Sequence, residues 1–436
     1  MFGTRLLIPW FSRAANPGQT LPWQLLQSGL LIFPLLPALG AVAIAIAILI
    51  VWKQQFRSIA RSPVNRALGI LSLLLILSAC FANKPAEAFL GLANFLPFFI
   101  GFVAFSQLLR TPQQLHRIAW ILAISTVPVV ILGLGQMWGG WQSPQWVWAV
   151  AGWHLEPQGN PSGRMASTFM YANLLAAYLT FVFILGLGLA ISTYENWRRS
   201  RQKGGQLLFL TLFLSGCLIA LVLTSSRNAW GAIALCFLAF ILYRGWYWLG
   251  LAAGTAAGSV LWASFGPSWG RKPLRNVVPD FFWRRLSGEM YAPPPLPALR
   301  ASQWQFAGEM ARARPLLGWG LRNFTPLYEA KTQFWFGHPH NLYLMLAAET
   351  GIPTLLLFCA IAGWILARAV LCLQQWQTER FLLFSYILAF SSLMLLNGLD
   401  VTIFDPRLNT YGWLLLGALC GAGSSSSLAA RDVENA

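Results

Sequence analysis

Apolar residues run along this chain in long unbroken stretches with short polar breaks between them. Twelve stretches are predicted as membrane-crossing helices: 23–37, 38–52, 66–82, 88–109, 115–138, 166–192, 206–224, 228–243, 246–264, 352–371, 381–397 and 408–423. A span needs about 20 mostly apolar residues. The first two are short and share the break at Pro34, Pro37 and Gly40, so they also read as one bent element. The runs do not alternate, which excludes a β-barrel. The expected fold is all-α: a polytopic bundle of about twelve transmembrane helices with one large external loop containing interfacial helices. Three parts follow, an N-terminal bundle over 1–264, a large external loop over 265–351, and C-terminal helices with a tail over 352–436. The tail from 421 reads as a flexible polar end.

Basic residues in the breaks set the orientation. With a cytoplasmic N-terminus, inner loops and termini hold 16 Lys or Arg and the short outer loops hold 4, namely Lys84, Arg164, Arg227 and Arg407. This is the bias of positive-inside topology. Dropping one span would place the basic loops outside.

Composition agrees. The chain is 57% hydrophobic and 10% charged, against roughly 25% charged in soluble domains. The net charge of +17 suits loops beside anionic lipid headgroups rather than nucleic acid. Membrane lipids are thus one partner and nucleic acid is not. The six cysteines form no CxxC pair and read as small buried apolar residues. No cleavable signal is evident at the N-terminus.

The long outer loop concentrates the candidate chemistry. It carries ten Lys or Arg and five acids, and 298–313 reads as a helix with Arg300, Trp304 and Ala311 near one face. It ends in HPHNLYLMLAAETGIP at 338–353, with two of the four histidines and Glu349, just before an apolar run. Ionisable groups beside hydrocarbon are kept mainly where they work. His338 is expected to cap a helix with Pro339 in its first turn, leaving His340 and Asn341 outward. Arg164, Arg227 and Arg300 converge on the same side with few acids near them in sequence, as an anion site would require. Arg322 competes with Arg300 for that role. Trp304 and Trp319 are placed to stack on sugar. His340 suits a general base near neutral pH. Glu349 reads as orienting a neighbour or capping the turn, Asp400 and Asp405 as partners of Arg407 or of a site arginine, and His116 and His154 as loop surface. Each has a plainer reading, such as Arg227 snorkelling to headgroups. His338 and His340, two apart across a proline with no Asp or Cys nearby in sequence, have poor spacing for a metal.

SSRNAWGA at 225–232, LRASQWQFA at 299–307, RPLLGWGLRNF at 314–324 and HPHNLYLMLAAETGIP together resemble the O-antigen ligase and polymerase superfamily, and SGRMASTFMYANLLAAYL resembles its upstream segment. The resemblance implies twelve spans, a large periplasmic loop and a metal-independent, inverting glycosyltransferase of the bacterial plasma membrane. It implies an undecaprenyl-pyrophosphate-linked glycan as donor, a lipid or saccharide acceptor and no cofactor. By resemblance, Arg227 and Arg300 hold the pyrophosphate and His340 activates the acceptor. Arg164, Arg322, Asn341, Glu349 and Trp304 are the further candidates for substrate binding, on the reading of the residues themselves. Pro353–Thr354 stands where many members place a second glycine. The motifs do not separate ligases from polymerases. An inorganic-carbon transporter is the alternative from another class, against which the spans lack buried acids for ion coupling.

Overall fold

The computed structural model describes residues 19–291, 295–376 and 379–434, with side chains described up to Gly423 in the last helix. The expectations for Arg5, Arg13 and the N-terminal 18 residues lie outside it. Among the described residues the chain is helical throughout, without a β-strand.

Proline punctuates the bundle. The helices Pro37–Arg61, Pro63–Cys80, Pro85–Gly91, Pro112–Trp138 and Pro406–Glu434 each open on one. A proline at the first helical position lacks only an N–H that has no partner there anyway, and its φ is already helical. At Thr111 a capping box is added: the Thr111 hydroxyl accepts from the Gln114 N–H, and the Gln114 side chain accepts from the Thr111 N–H.

Among the described residues nine helices are long and apolar enough to cross a membrane. The chain is a multi-pass membrane protein. Three expected spans fall outside that set. Thr20–Ile32 has 13 residues, about 20 Å at 1.5 Å per residue and short of a hydrocarbon core of about 30 Å. Arg227–Arg244 carries an arginine at each end of its 18 residues. Pro406–Glu434 spends its second half on the serine-rich tail. The expectation of a flexible tail falls on residues beyond Gly423, outside the fully described part of the chain.

Ala172–Ser200 is the central strut, with 83% of its most apolar window buried. It packs on Arg380–Asn397, Gly204–Leu223 and Pro112–Trp138. Pro406–Glu434 lies against Leu96–Leu108 so closely that a Cβ on Gly421 would come within 2.2 Å of the Leu109 carbonyl oxygen. Small residues at such crossings let helix backbones approach where lipid gives no hydrophobic drive. Tyr247–Phe265 buries only 11% of its window, as a lipid-facing helix does.

Residues 265–351 are not an open loop. They form the helices Ser268–Val277, Asp280–Ser287, Arg300–Ala313, Phe324–Thr332 and Leu342–Thr350, of which the second and third from the end of that series straddle the GWG turn. Ala307, Met310, Phe324, Tyr328 and Ala348 build a small core of their own, with Phe324 and Tyr328 stacked at 5.1 Å. The expected helix at 298–313 is present from Arg300. The final helix begins later than expected. Asn341, not His338, is its cap, and Pro339 precedes it, because the Asn341 carboxamide reaches the Leu344 N–H at 2.9 Å. Gly351 ends it at φ +86°, and a Cβ there would sit 2.1 Å from the Leu316 carbonyl oxygen. Only glycine fits both constraints.

Candidate functional site

The turn 224–226, between Gly204–Leu223 and Arg227–Arg244, gathers three arginines. Arg164 donates from Nε to the Thr224 carbonyl at 2.8 Å, and Arg285 donates from Nε to the Ser225 carbonyl at 2.8 Å. Arg227 opens the next helix and is exposed, its Nη1 at 3.4 Å from the Leu286 carbonyl. Carbonyls anchor these guanidiniums, and no carboxylate within salt-bridge distance does among the described residues. Burial, then the charges of Arg164 and Arg227, push Arg285 down to about 10. Like charges held together in this way favour an anion. Ser225 has φ +51°, and its buried hydroxyl has no hydrogen-bond partner. A strained residue with an orphaned hydroxyl is a feature of ligand sites.

A second cluster lies across a hydrogen-bonded chain. Arg164 donates from Nη2 to Asn173 Oδ1 at 2.6 Å, and Asn173 Nδ2 donates to Asp400 Oδ2 at 3.1 Å. Asp400 Oδ1 meets His340 Nδ1 at 2.9 Å. Burial pushes the Asp400 carboxyl up, but the bond to His340, the neighbouring histidines and the Val401 N–H outweigh it and hold the group down at about 2. It stays a carboxylate at neutral pH. Paired with it, His340 carries its proton on Nδ1 and leaves Nε2 free to accept one. His340 sits at φ +51°, a conformation uncommon outside glycine. His338 Nδ1 accepts its backbone N–H at 3.1 Å and so supports that conformation. Burial, and then the charges of His340 and Arg300, press His338 down to about 4, so it is neutral and able to accept. Arg300 lies close enough to His338 and Tyr171 for its charge to act on both.

His338, His340, Tyr171 and Asp400 line a cavity of about 1230 Å³ that also holds Arg322, Trp148 and Trp335. The ligand atoms of His338, His340 and Asp400 lie within 4.8 Å of one another, so among the described residues these three could hold a metal ion. The sequence reading placed no acid near the histidines; the fold supplies Asp400.

Residues 207–359 match the model of the O-antigen ligase family. The match spans about a third of the chain and supports the resemblance to the O-antigen ligase superfamily. No curated protein matches the chain. The matched domain is that of glycosyltransferase-like ligases and polymerases, which act on lipid-linked saccharides in general. The O-antigen ligase match contains Arg227, Arg285, Arg300 and His340, whereas Arg164, Asn173 and Asp400 come from outside it.

Several residues anticipated along the ligase motifs sit elsewhere. Asn341 is fully committed: its Oδ1 caps the helix and its Nδ2 donates to the Gly398 carbonyl at 2.9 Å. It therefore fixes the segment carrying His340 and does not line the cavity. Arg322 does line the cavity, and its Nε pairs with Glu87 at 3.0 Å, both half-exposed. Trp304 is half-buried with a partnerless Nε1 and is not on the cavity wall. Trp319 donates to the Met310 carbonyl at 2.9 Å and stacks on Arg314, a packing role. Asp405 pairs with Arg407 at 2.7 Å, both buried. His154 is exposed beside Glu156, whereas His116 is half-buried on the helix Pro112–Trp138 rather than on a loop.

Glu349 is 2% exposed and away from the cavity. Its Oε1 accepts from the Phe324 N–H at 2.9 Å, and its carbonyl accepts from Gly320 and Ser78. It ties the GWG turn to the last outer helix. Burial pushes its carboxyl up to about 7, against the pull of the Phe324 and Arg322 N–H groups. An unfolded carboxyl releases its proton near 4.5. The stabilisation from Glu349 is therefore full below that pH and fades as pH rises toward 7, by up to about 3 kcal/mol. Glu349→Gln keeps the neutral shape. Its melting temperature should fall less than that of the wild type between roughly pH 5 and 8. Parallel declines would remove the buried-acid assignment.

Proposed function

We infer that the protein transfers a glycan from an undecaprenyl-pyrophosphate-linked donor to a hydroxyl acceptor on the outer face of the bacterial plasma membrane. The observation that carries this reading is the chain of bonds from Arg164 through Asn173 and Asp400 to His340. It couples an arginine cluster without carboxylate partners to a histidine poised as a base. Guanidiniums grip phosphate oxygens by paired hydrogen bonds.

In the reaction, His340 Nε2 takes the proton of the acceptor hydroxyl as that oxygen attacks the anomeric carbon. The bond from that carbon to the pyrophosphate oxygen breaks, and the lipid pyrophosphate leaves with the electron pair. Arg227, Arg285 and Arg300 meet the growing negative charge. Asp400 stabilises the imidazolium, as an oriented carboxylate does beside a catalytic histidine. One displacement inverts the anomeric centre. Glu349, Asn341 and His338 are positioning residues in this scheme.

The outer face and the three-part division at 264 and 351 rest on the charge bias of the loops. Reporter fusions after Gly288 and after Ser426 should report opposite sides of the membrane. The same side for both would contradict the topology. Deleting the gene tests the function. Loss of glycan attachment with lipid-linked polymer accumulating supports ligation, accumulation of single repeat units supports polymerisation, and unchanged surface glycan overturns the reading.

A further inference from the structure

We propose that His338, His340 and Asp400 bind a divalent transition-metal ion of the zinc class, and that this ion switches the cavity off. The site stands on its own geometry, and its effect on turnover rests on the transfer reading above.

Three ligands meet from two parts of the chain. His338 and His340 precede the helix Leu342–Thr350, and Asp400 follows the helix Arg380–Asn397. Their ligand atoms lie within 4.8 Å of one another, and all three residues line the cavity, so an ion can reach them. Each is held by its neighbours. Asp400 Oδ2 accepts from Asn173 Nδ2 at 3.1 Å, and its Oδ1 accepts from the Val401 N–H at 2.9 Å. The His338 ring stacks on Phe404 at 5.5 Å and meets His340 edge-on at 4.5 Å. Outer contacts of this kind orient the ligands of a metal site. Two imidazoles and one carboxylate suit zinc, with a fourth position open to the cavity. Magnesium prefers oxygen ligands and its own waters. The charge of Arg300 acts on His338 and opposes a cation, which makes the ion exchangeable rather than structural.

The ion and the acceptor proton compete for one imidazole. His340 Nδ1 donates to Asp400 Oδ1 and leaves Nε2 as the nitrogen with a lone pair. A metal needs such a lone pair, and a neutral imidazole has only one. When the ion lies between Asp400 and Nδ1, the ring proton moves to Nε2, and nothing remains to accept from the hydroxyl. When the ion takes Nε2, that lone pair is used directly. The ring stays neutral in both cases, and no proton is gained or lost. His338 joins by turning its Nδ1 lone pair from the His340 N–H, a 3.1 Å contact, to the ion.

The test separates binding from turnover. The full-length protein in nanodiscs is stripped with chelator and titrated with zinc against a chromophoric chelator. Affinity for the tightest ion should fall at least about tenfold in His338→Ala and in Asp400→Asn. It should not change in His154→Ala, whose exposed pair with Glu156 is the control. X-ray absorption of the zinc-loaded wild type, which needs no variant, should show imidazole nitrogens at about 2.0–2.1 Å and no sulfur. Sulfur ligation, or wild-type zinc affinity in both His338→Ala and Asp400→Asn, overturns the proposal. Turnover with a lipid-pyrophosphate donor is read separately. Saturating zinc should lower it at least about tenfold, magnesium should not, and excess chelator should restore it. His338→Ala should need at least about tenfold more zinc for half-inhibition, and equal sensitivity overturns the switch. Zinc bound at these residues with transfer unaffected keeps the metal site and removes His340 as the base instead.

Discussion

His340→Ala should lower turnover by about 10²–10⁴-fold, the usual worth of general-base help, with donor binding largely retained. The imidazole is joined through Asp400, its neighbour on the cavity wall, and Asn173 to the arginine cluster. Its loss removes proton transfer from the acceptor hydroxyl without touching the guanidiniums. Asp400→Asn should cost turnover as well, because an amide can donate to Nδ1 and reverse the tautomer, which puts the acceptor nitrogen on the wrong side. His338→Ala should cost far less than either, since His338 supplies one bond to the His340 backbone. Single-turnover assays with preloaded donor check this. Near-normal transfer by a folded His340→Ala protein would refute the base assignment.

Arg227→Ala should reduce transfer by about 10²–10³-fold, the cost of removing one preorganised donor from developing negative charge. The group is exposed and makes only a long contact to the Leu286 carbonyl, so its removal leaves the packing intact. Arg227→Lys should recover little, because an ammonium lacks the paired donors of a guanidinium. Arg300→Ala should behave like Arg227→Ala. Arg285→Ala should weaken donor binding and also loosen the 224–226 turn, seen as a lowered melting temperature. Wild-type donor affinity in Arg227→Ala and Arg285→Ala together would remove the pyrophosphate from this turn.

Much of the bundle was legible because apolar runs are local signals: the expected spans from 38, 66, 88 and 115 overlap the helices that open at Pro37, Pro63, Pro85 and Pro112, whose first turns the apolar runs alone did not mark. The outer helix from Arg300 and the stop at Gly351 were legible for the same reason. The site was half legible. His340 stood out by its neighbours in sequence, but its partner Asp400 is 60 residues away and reaches it only through the packing of the C-terminal helices. Arg285 looked like one charge among many in a basic segment, and only the fold brings it to the Ser225 carbonyl. Asn341 and Glu349 were noticed as polar residues near a histidine, yet such residues serve equally well as a helix cap and a buried brace. Sequence alone does not tell a ligand contact from a bond to one's own backbone. The aromatic wall was missed for a similar reason: among 22 tryptophans, Trp148 and Trp335 differ from interface anchors only by the cavity they border.

The central claim is tested most directly by following a defined lipid-pyrophosphate glycan and a hydroxyl acceptor with the purified protein in lipid bilayers, in the presence of a chelator. The account predicts one lipid pyrophosphate released for each glycosylated acceptor formed, with inverted anomeric configuration. It predicts that this product is lost in His340→Ala. Retained configuration, or product that vanishes only when chelator is added, would contradict it.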